Sequence, residues 1–105
     1  MAFTVGAPLL DALVLSVASA EDTYGYKITQ DVRSVMTVSE STLYPVLRRL
    51  QKDGCLETYD QAFAGRNRRY YRITPQGQQV LQDYRQEWLE YERKIHSVLF
   101  GEVEA

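Results

Sequence analysis

Thr37-Val38-Ser39-Glu40-Ser41-Thr42-Leu43-Tyr44-Pro45-Val46-Leu47-Arg48-Arg49-Leu50-Gln51-Lys52-Asp53-Gly54 reads as one helix with two unlike faces. Leu43, Val46, Leu47 and Leu50 recur at three- and four-residue spacing and make a core-facing stripe; Ser41, Tyr44, Arg48 and Lys52 fall on the other side. Thr37 with Glu40 three residues later fits a capping box, Ser39 is a competing cap, and Gly54 tolerates a left-handed stop. Pro45 resists this reading, because a proline inside a helix costs about 3 kcal/mol. Two solutions stand: a helix from about Ser39 bent near Pro45, or a turn through Tyr44 followed by a helix with Pro45 at its first position. In both, Ser41, Thr42 and Tyr44 project from a helix start.

On its amino-terminal side, Tyr24, Ile28, Val32 and Val35 form a shorter helical stripe running to about Ser34, with Thr23 as its cap and Gly25 permitting close backbone approach. A first helix starts at Pro8, with Leu9, Leu10, Leu13, Val14 and Val17 as its stripe and Asp11 near its positive end. Phe3 and Val5 belong to a preceding arm that can pack on a neighbour. Two helices joined by a few residues suggest a helix-turn-helix.

Beyond Gly54, Cys55 to Tyr59 reads as a strand, Asp60 to Asn67 as a loop with Gly65 near its tip, and Arg68 to Ile73 as a second strand. Arg66, Arg68, Arg69 and Arg72 crowd this hairpin, and Gln61 to Arg72 contains no acid. Such guanidinium groups need water or an anion. Thr74-Pro75 opens the longest helix, Gly101 can end it, and Glu102 to Ala105 is a tail. Leu81, Tyr84, Trp88, Tyr91, Ile95 and Val98 follow a 3-4 spacing suited to a coiled-coil seam, and packing on the first helix shares in the explanation.

Composition narrows the function. The 105 residues suffice for a single folding unit that dimerisation would help to stabilise. No apolar run approaches the roughly 20 residues of a membrane span. Leu9 to Ala20 is interrupted by Asp11 and has no Lys or Arg before it, so a signal peptide is not expected. One cysteine, Cys55, excludes an internal disulfide and fits the cytoplasm, and with a lone His96 it cannot make the usual four-ligand zinc site. No cofactor is expected, and no nucleophile-and-base pattern suggests an enzyme. The net charge is −2, yet Ser39 to Arg72 holds seven Lys/Arg against four acids, a local +3 that leaves −5 elsewhere. A basic middle with acidic ends suits a small DNA-binding domain.

Helix, helix, helix, hairpin and long helix is the order of a winged helix-turn-helix. The fold class is therefore mainly α (α+β), a winged helix-turn-helix with a two-stranded wing and a long C-terminal dimerisation helix. Residues 1–74 form the DNA-binding domain with its arm, and 75–105 the dimerisation helix and tail.

Tyr24-Gly25-Tyr26-Lys27-Ile28, Ser39 through Leu50, Asp53-Gly54 and Arg68-Arg69-Tyr70-Tyr71-Arg72-Ile73-Thr74 closely resemble the motifs of the PadR family of bacterial transcriptional regulators. The resemblance covers about Pro8 to Phe100 and is to the shorter subfamily with a single final helix. It implies a homodimeric repressor that binds a palindromic operator in double-stranded DNA and releases it when a small molecule binds. Ser39, Ser41, Thr42, Tyr44, Arg48 and Arg49 would serve the major groove, with Arg66 and Arg68 on the backbone or in the minor groove. The resemblance also makes Trp88, with Tyr84 and Tyr91, a pocket for a planar aromatic or phenolic compound, and Asp83, Glu87 and Glu90 could favour a cation. Leu81, Trp88, Tyr91, Ile95 and Val98 are the expected dimer seam. The competing reading from another class is a winged-helix protein-protein adaptor without specific DNA binding, which would expose an apolar patch where this chain has arginines.

Overall fold

Leucines one turn apart draw the central helix into the core, and the remaining elements close over it. The computed structural model describes residues 6–101, so the arm residues Phe3 and Val5 and the tail from Glu102 lie outside the described residues. The order is α1 (Ala7–Ala20), β1 (Thr23–Tyr24), α2 (Gly25–Arg33), α3 (Glu40–Lys52), β2 (Leu56–Phe63), β3 (Arg66–Ile73) and α4 (Pro75–Phe100). Leu43, Leu47 and Leu50 are buried with Val14, Leu15, Ile28, Val32, Leu56 and Leu81, while Val46 packs at the margin.

α3 is one uninterrupted helix with Pro45 inside it, which removes the two-segment alternative. The carbonyl that Pro45 cannot engage is that of Ser41, and both residues lie on the exposed side of the helix, where water can serve it. Its cap is Ser39, whose hydroxyl accepts from the Thr42 amide at 3.2 Å. Thr37 therefore caps nothing, and Glu40, the first helical residue, pairs with Arg33 at 3.9 Å instead of closing a capping box. At the other end Cys55 N–H reaches Leu50 C=O at 2.9 Å and Gly54 N–H reaches Gln51 C=O at 3.1 Å, with Gly54 at φ +81°. This Schellman pair is what the glycine permits.

Four further expectations need correction. Thr23 is buried in a strand, and Tyr24 occupies the cap position of α2 without a side-chain bond. Val35 falls beyond α2 and is 69% exposed. Asp11 is buried and ion-paired to Arg49, a stronger determinant than the helix dipole. The hairpin loop from Asp60 to Asn67 is ladder almost to its tip, with Leu56 opposite Ile73 at one end and Phe63 opposite Arg66 at the other. Only Ala64 (φ 51°) and Gly65 (φ 77°) turn the chain, both left-handed, as a two-residue hairpin requires. β1 adds a third strand, Tyr24 opposite Tyr70 and Thr23 opposite Tyr71, so the sheet order is β1-β3-β2 and the wing has an anchor the sequence did not suggest.

The start of α4 is fastened to the end of α3. Thr74 caps α4 through the Gly77 amide at 3.0 Å and donates its hydroxyl to Gly54 C=O at 2.6 Å. Gln76 reaches Asp53 C=O at 2.9 Å. A Cβ on Gly77 would come within 2.2 Å of the Cys55 carbonyl oxygen, so close backbone approach is the reason for glycine there. Along α4, Leu81 is fully buried and Tyr84 half-buried against α1, whereas Trp88, Tyr91, Ile95 and Val98 become exposed toward the far end.

Candidate nucleic-acid interface

A helix start presents unsatisfied N–H groups and a partial positive charge, and in α3 it also presents hydroxyls. Ser39 Oγ lies 2.9 Å from Ser41 Oγ and 3.0 Å from Thr42 Oγ1, a cluster that is exposed together with Tyr44. Arg48 follows one turn later on the same exposed side and has no carboxylate partner among the described residues. Its charge reaches the Tyr71 phenol, whose pKa is pushed up mainly by burial and is partly lowered again by Arg69 and Arg48.

Between this face and the wing runs a groove of about 500 Å³ lined by Tyr24, Gly25, Tyr26, Tyr44, Tyr71 and the tip residues Phe63, Ala64, Arg66, Asn67, Arg68 and Arg69. The wing arginines divide by partner. Arg72 is bound to Glu57 at 2.8 Å, which raises its pKa, and lies 4.0 Å from Asp22. Arg69 sits 3.6 Å from Asp60. Arg66 is exposed and has no carboxylate partner among the described residues. Arg68 is half-buried, its guanidinium carbon 4.0 Å from the Tyr24 ring centre and 3.9 Å from that of Phe63.

Arg49 turns the other way. Its NH2 donates to the Asp11 carboxylate, whose second oxygen accepts from Tyr84 OH at 3.4 Å, so α1 joins α3 to α4 through one buried acid. The hydrogen bond to Asp11 raises the Arg49 pKa, and burial followed by the Asp11 charge raises that of Tyr84. Arg49 is thus tied to a buried acid of α1, although 47% of its side chain stays exposed.

Two shallow grooves flank the middle of α4. One of about 490 Å³ is lined by Pro8, Leu9, Ala12, Tyr84, Glu87, Trp88 and Tyr91; the other, of about 430 Å³, by Leu9, Ala12, Leu13, Val35, Met36, Tyr84 and Trp88 among others. Tyr84 and Trp88 line both, and Trp88 is tilted 47° to Tyr91 at 6.3 Å between ring centres. Of the three acids named near Trp88, only Glu87 borders these grooves; Asp83 accepts from Gln79, and Glu90 pairs with Lys94. Among the described residues no group of His, Cys, Asp and Glu could hold a metal ion, and no helix is long and apolar enough to cross a membrane.

Sequence reasoning missed Phe63, Asn67 and Tyr26 as groove residues. Their signal is faint: Phe63 falls in the stretch Asp60 to Asn67 expected as a loop, and Tyr24 and Gly25 are expected only to pack a helix closely, which says nothing of Tyr26. That packing is real, since a Cβ on Gly25 would touch the Tyr44 ring at 3.4 Å.

Residues 14–83 match the family model of the transcriptional regulator PadR-like family. The chain is 37% identical over 83 residues to Transcriptional regulator Rv3488 of Mycobacterium tuberculosis, a span of 78% of each protein. It superposes on the crystal structure of smu.1704 from Streptococcus mutans with a TM-score of 0.91 at 38% identity, over 100% of this chain and 99% of the other. For a PadR-like transcriptional regulator of Bacillus cereus the TM-score is 0.80 at 30% identity, over 91% and 94% of the two chains.

Proposed function

The chain belongs to the PadR-like family of transcriptional regulators, and from that premise we propose that it is a homodimeric repressor of a palindromic operator, released when a planar aromatic or phenolic molecule binds beside Trp88. The observation that carries the DNA-binding part is the groove between Tyr44 of α3 and the arginine-bearing wing, with the exposed hydroxyls of Ser39, Ser41 and Thr42 at the start of the same helix. In this reading Ser39, Ser41, Thr42 and Tyr44 enter the major groove, with the hydroxyls on phosphates or base edges. Arg48 and Arg66, without a carboxylate partner among the described residues, supply charge to phosphates whatever the sequence. Arg49 is left out of the contact set, because Asp11 already holds it.

The division of labour follows the chain: residues through Thr74 read DNA, and α4 from Pro75 pairs two copies. Support for pairing comes from the exposure of Trp88, Tyr91, Ile95 and Val98 along one seam, which a second α4 would cover. The ligand part is supported by the concave surfaces on both sides of Trp88, where ring faces from Trp88, Tyr84 and Tyr91 can stack on a flat molecule and Glu87 can attract a cationic one.

The test is binding of purified protein to DNA upstream of its own gene at two salt concentrations with nonspecific competitor. Tight, salt-sensitive binding that survives competitor is expected. Binding that competitor removes, followed by a genome-wide selection that enriches no sequence, would overturn the reading. For the ligand, tryptophan fluorescence unquenched by a panel of planar dyes and phenolic acids would remove the pocket from the account.

A further inference from the structure

Of the two wing arginines without a carboxylate partner among the described residues, Arg66 and Arg68, it is Arg68 whose surroundings do not suit a phosphate contact. Arg66 and Arg69 are exposed, and Arg72 is tied to acids, but Arg68 is half-buried with no carboxylate partner among the described residues. What it has is a ring on either side. The register explains this: Tyr24 lies opposite Tyr70 and Phe63 opposite Arg66, so both are diagonal neighbours of Arg68 on one face of the sheet. The guanidinium sits 4.0 Å from one ring centre and 3.9 Å from the other. The two rings belong to different parts of the molecule. Phe63 stands at the wing tip, 52% exposed, whereas Tyr24 is the cap residue of α2 and is itself packed edge-on against Tyr70 at 6.0 Å. Immediately after Tyr24, Gly25 lies against the Tyr44 ring of α3.

We infer that Arg68 is a positioning residue which clamps the wing tip to the start of α2, fixing the distance between the wing and α3, and that the charge it carries is not spent on a DNA phosphate. A planar, weakly hydrated guanidinium can lie between two rings, whereas an ammonium is a compact, strongly hydrated point charge, so lysine would hold the two rings less well. Without the clamp the hairpin between Tyr70 and its tip has no strand beside it on the β1 side, because β1 pairs only with Tyr70 and Tyr71. The inference rests on the DNA-reading role proposed above only for its functional consequence; the clamp itself is a property of the free protein.

The experiment therefore has two arms. In the free protein, amide hydrogen exchange across Gln61 to Asn67 is compared in wild type, R68K and F63L, whose circular dichroism confirms folding. Exchange in both variants should be faster by roughly fivefold or more. In the second arm, DNA affinity is measured against salt. R68A, its folding likewise confirmed by circular dichroism, should bind roughly fivefold more weakly with the wild-type salt slope, whereas R66A should lower the slope by about 0.9. Wild-type exchange in R68K and F63L, or a salt slope lowered in R68A as far as in R66A, would overturn the clamp. Failure of the wild type to bind any DNA would sink the proposed function instead, and the exchange arm would still decide the clamp.

Discussion

The two halves of α4 are one continuous helix in two different conditions. The first half is enclosed: Gly77 sits against the Cys55 backbone, Leu81 is fully buried, and Tyr84 reaches the buried Asp11. In the second half the seam is bare, with Ile95 41% and Val98 82% exposed and Leu99 and Phe100 exposed beside them. The same 3-4 spacing runs through both. Periodicity therefore specifies which residues face together but not what they face, and among the described residues the apolar seam passes from burial against α1 to exposure at about Trp88. An apolar seam left open over several turns is the surface a second copy would cover.

The largest effect should come from spoiling the closed half. Gly77→Ala drives a methyl into a backbone oxygen and Ile73, neither of which can retreat cheaply, and should cost about 3 kcal/mol. Urea unfolding reads this directly; an unchanged midpoint would mean that α4 can lift off α3 without loss. Next, Ile95→Glu in the open half should weaken self-association by about 2 kcal/mol while leaving the helical content of each copy intact. Sedimentation at graded concentrations distinguishes the halves: if Ile95→Glu unfolds the protein instead, the open half is not an interface appended to a finished core.

Asp11 sharpens the comparison at its boundary. Asp11→Asn leaves Arg49 with a weaker partner and should destabilise by about 1–2 kcal/mol. The same contact sets an alkaline limit. Burial and the Asp11 charge raise the Tyr84 pKa, so the fold favours the neutral phenol. That contribution is present below the ordinary tyrosine value of about 10 and is lost as pH rises through the raised value. Tyr84→Phe should therefore lose less stability between neutral and strongly alkaline pH than the wild type does, in parallel urea titrations.

The smallest effect is expected at Cys55, where burial first, then the charges of Asp53 and Asp11, push the thiol pKa up. Reaction with a thiol reagent at pH 8 should be slow in the native protein and fast in urea. Fast native reaction would show that the junction between α3 and β2 opens readily.

Residues whose roles depend on near neighbours in the chain were legible. Ser41, Tyr44 and Arg48 share a side of α3 because of helical spacing alone, and Thr74-Pro75 and Gly101 bound α4 because caps and stops are local chemistry. The wing was harder. Asp60 to Asn67 carries no clear alternation of apolar and polar residues, since the tip has solvent on both sides, and so its strands had no burial pattern to read. Arg49 and Arg48 are adjacent and chemically identical; one turns to Asp11, 38 positions away, and the other to solvent.

From the sequence by itself came the order of elements, the two-faced central helix, the basic hairpin and the apolar seam, all consequences of periodicities and end signals that act within a few residues. Tertiary structure decided which charges are free. Asp11, Glu57 and Asp60 remove Arg49, Arg72 and Arg69 from the unpaired set, and Tyr24 with Phe63 encloses Arg68. It also decided where the seam of α4 ceases to be core. Both are questions of which partners lie within a few ångströms, and that is fixed by packing between segments far apart in the chain.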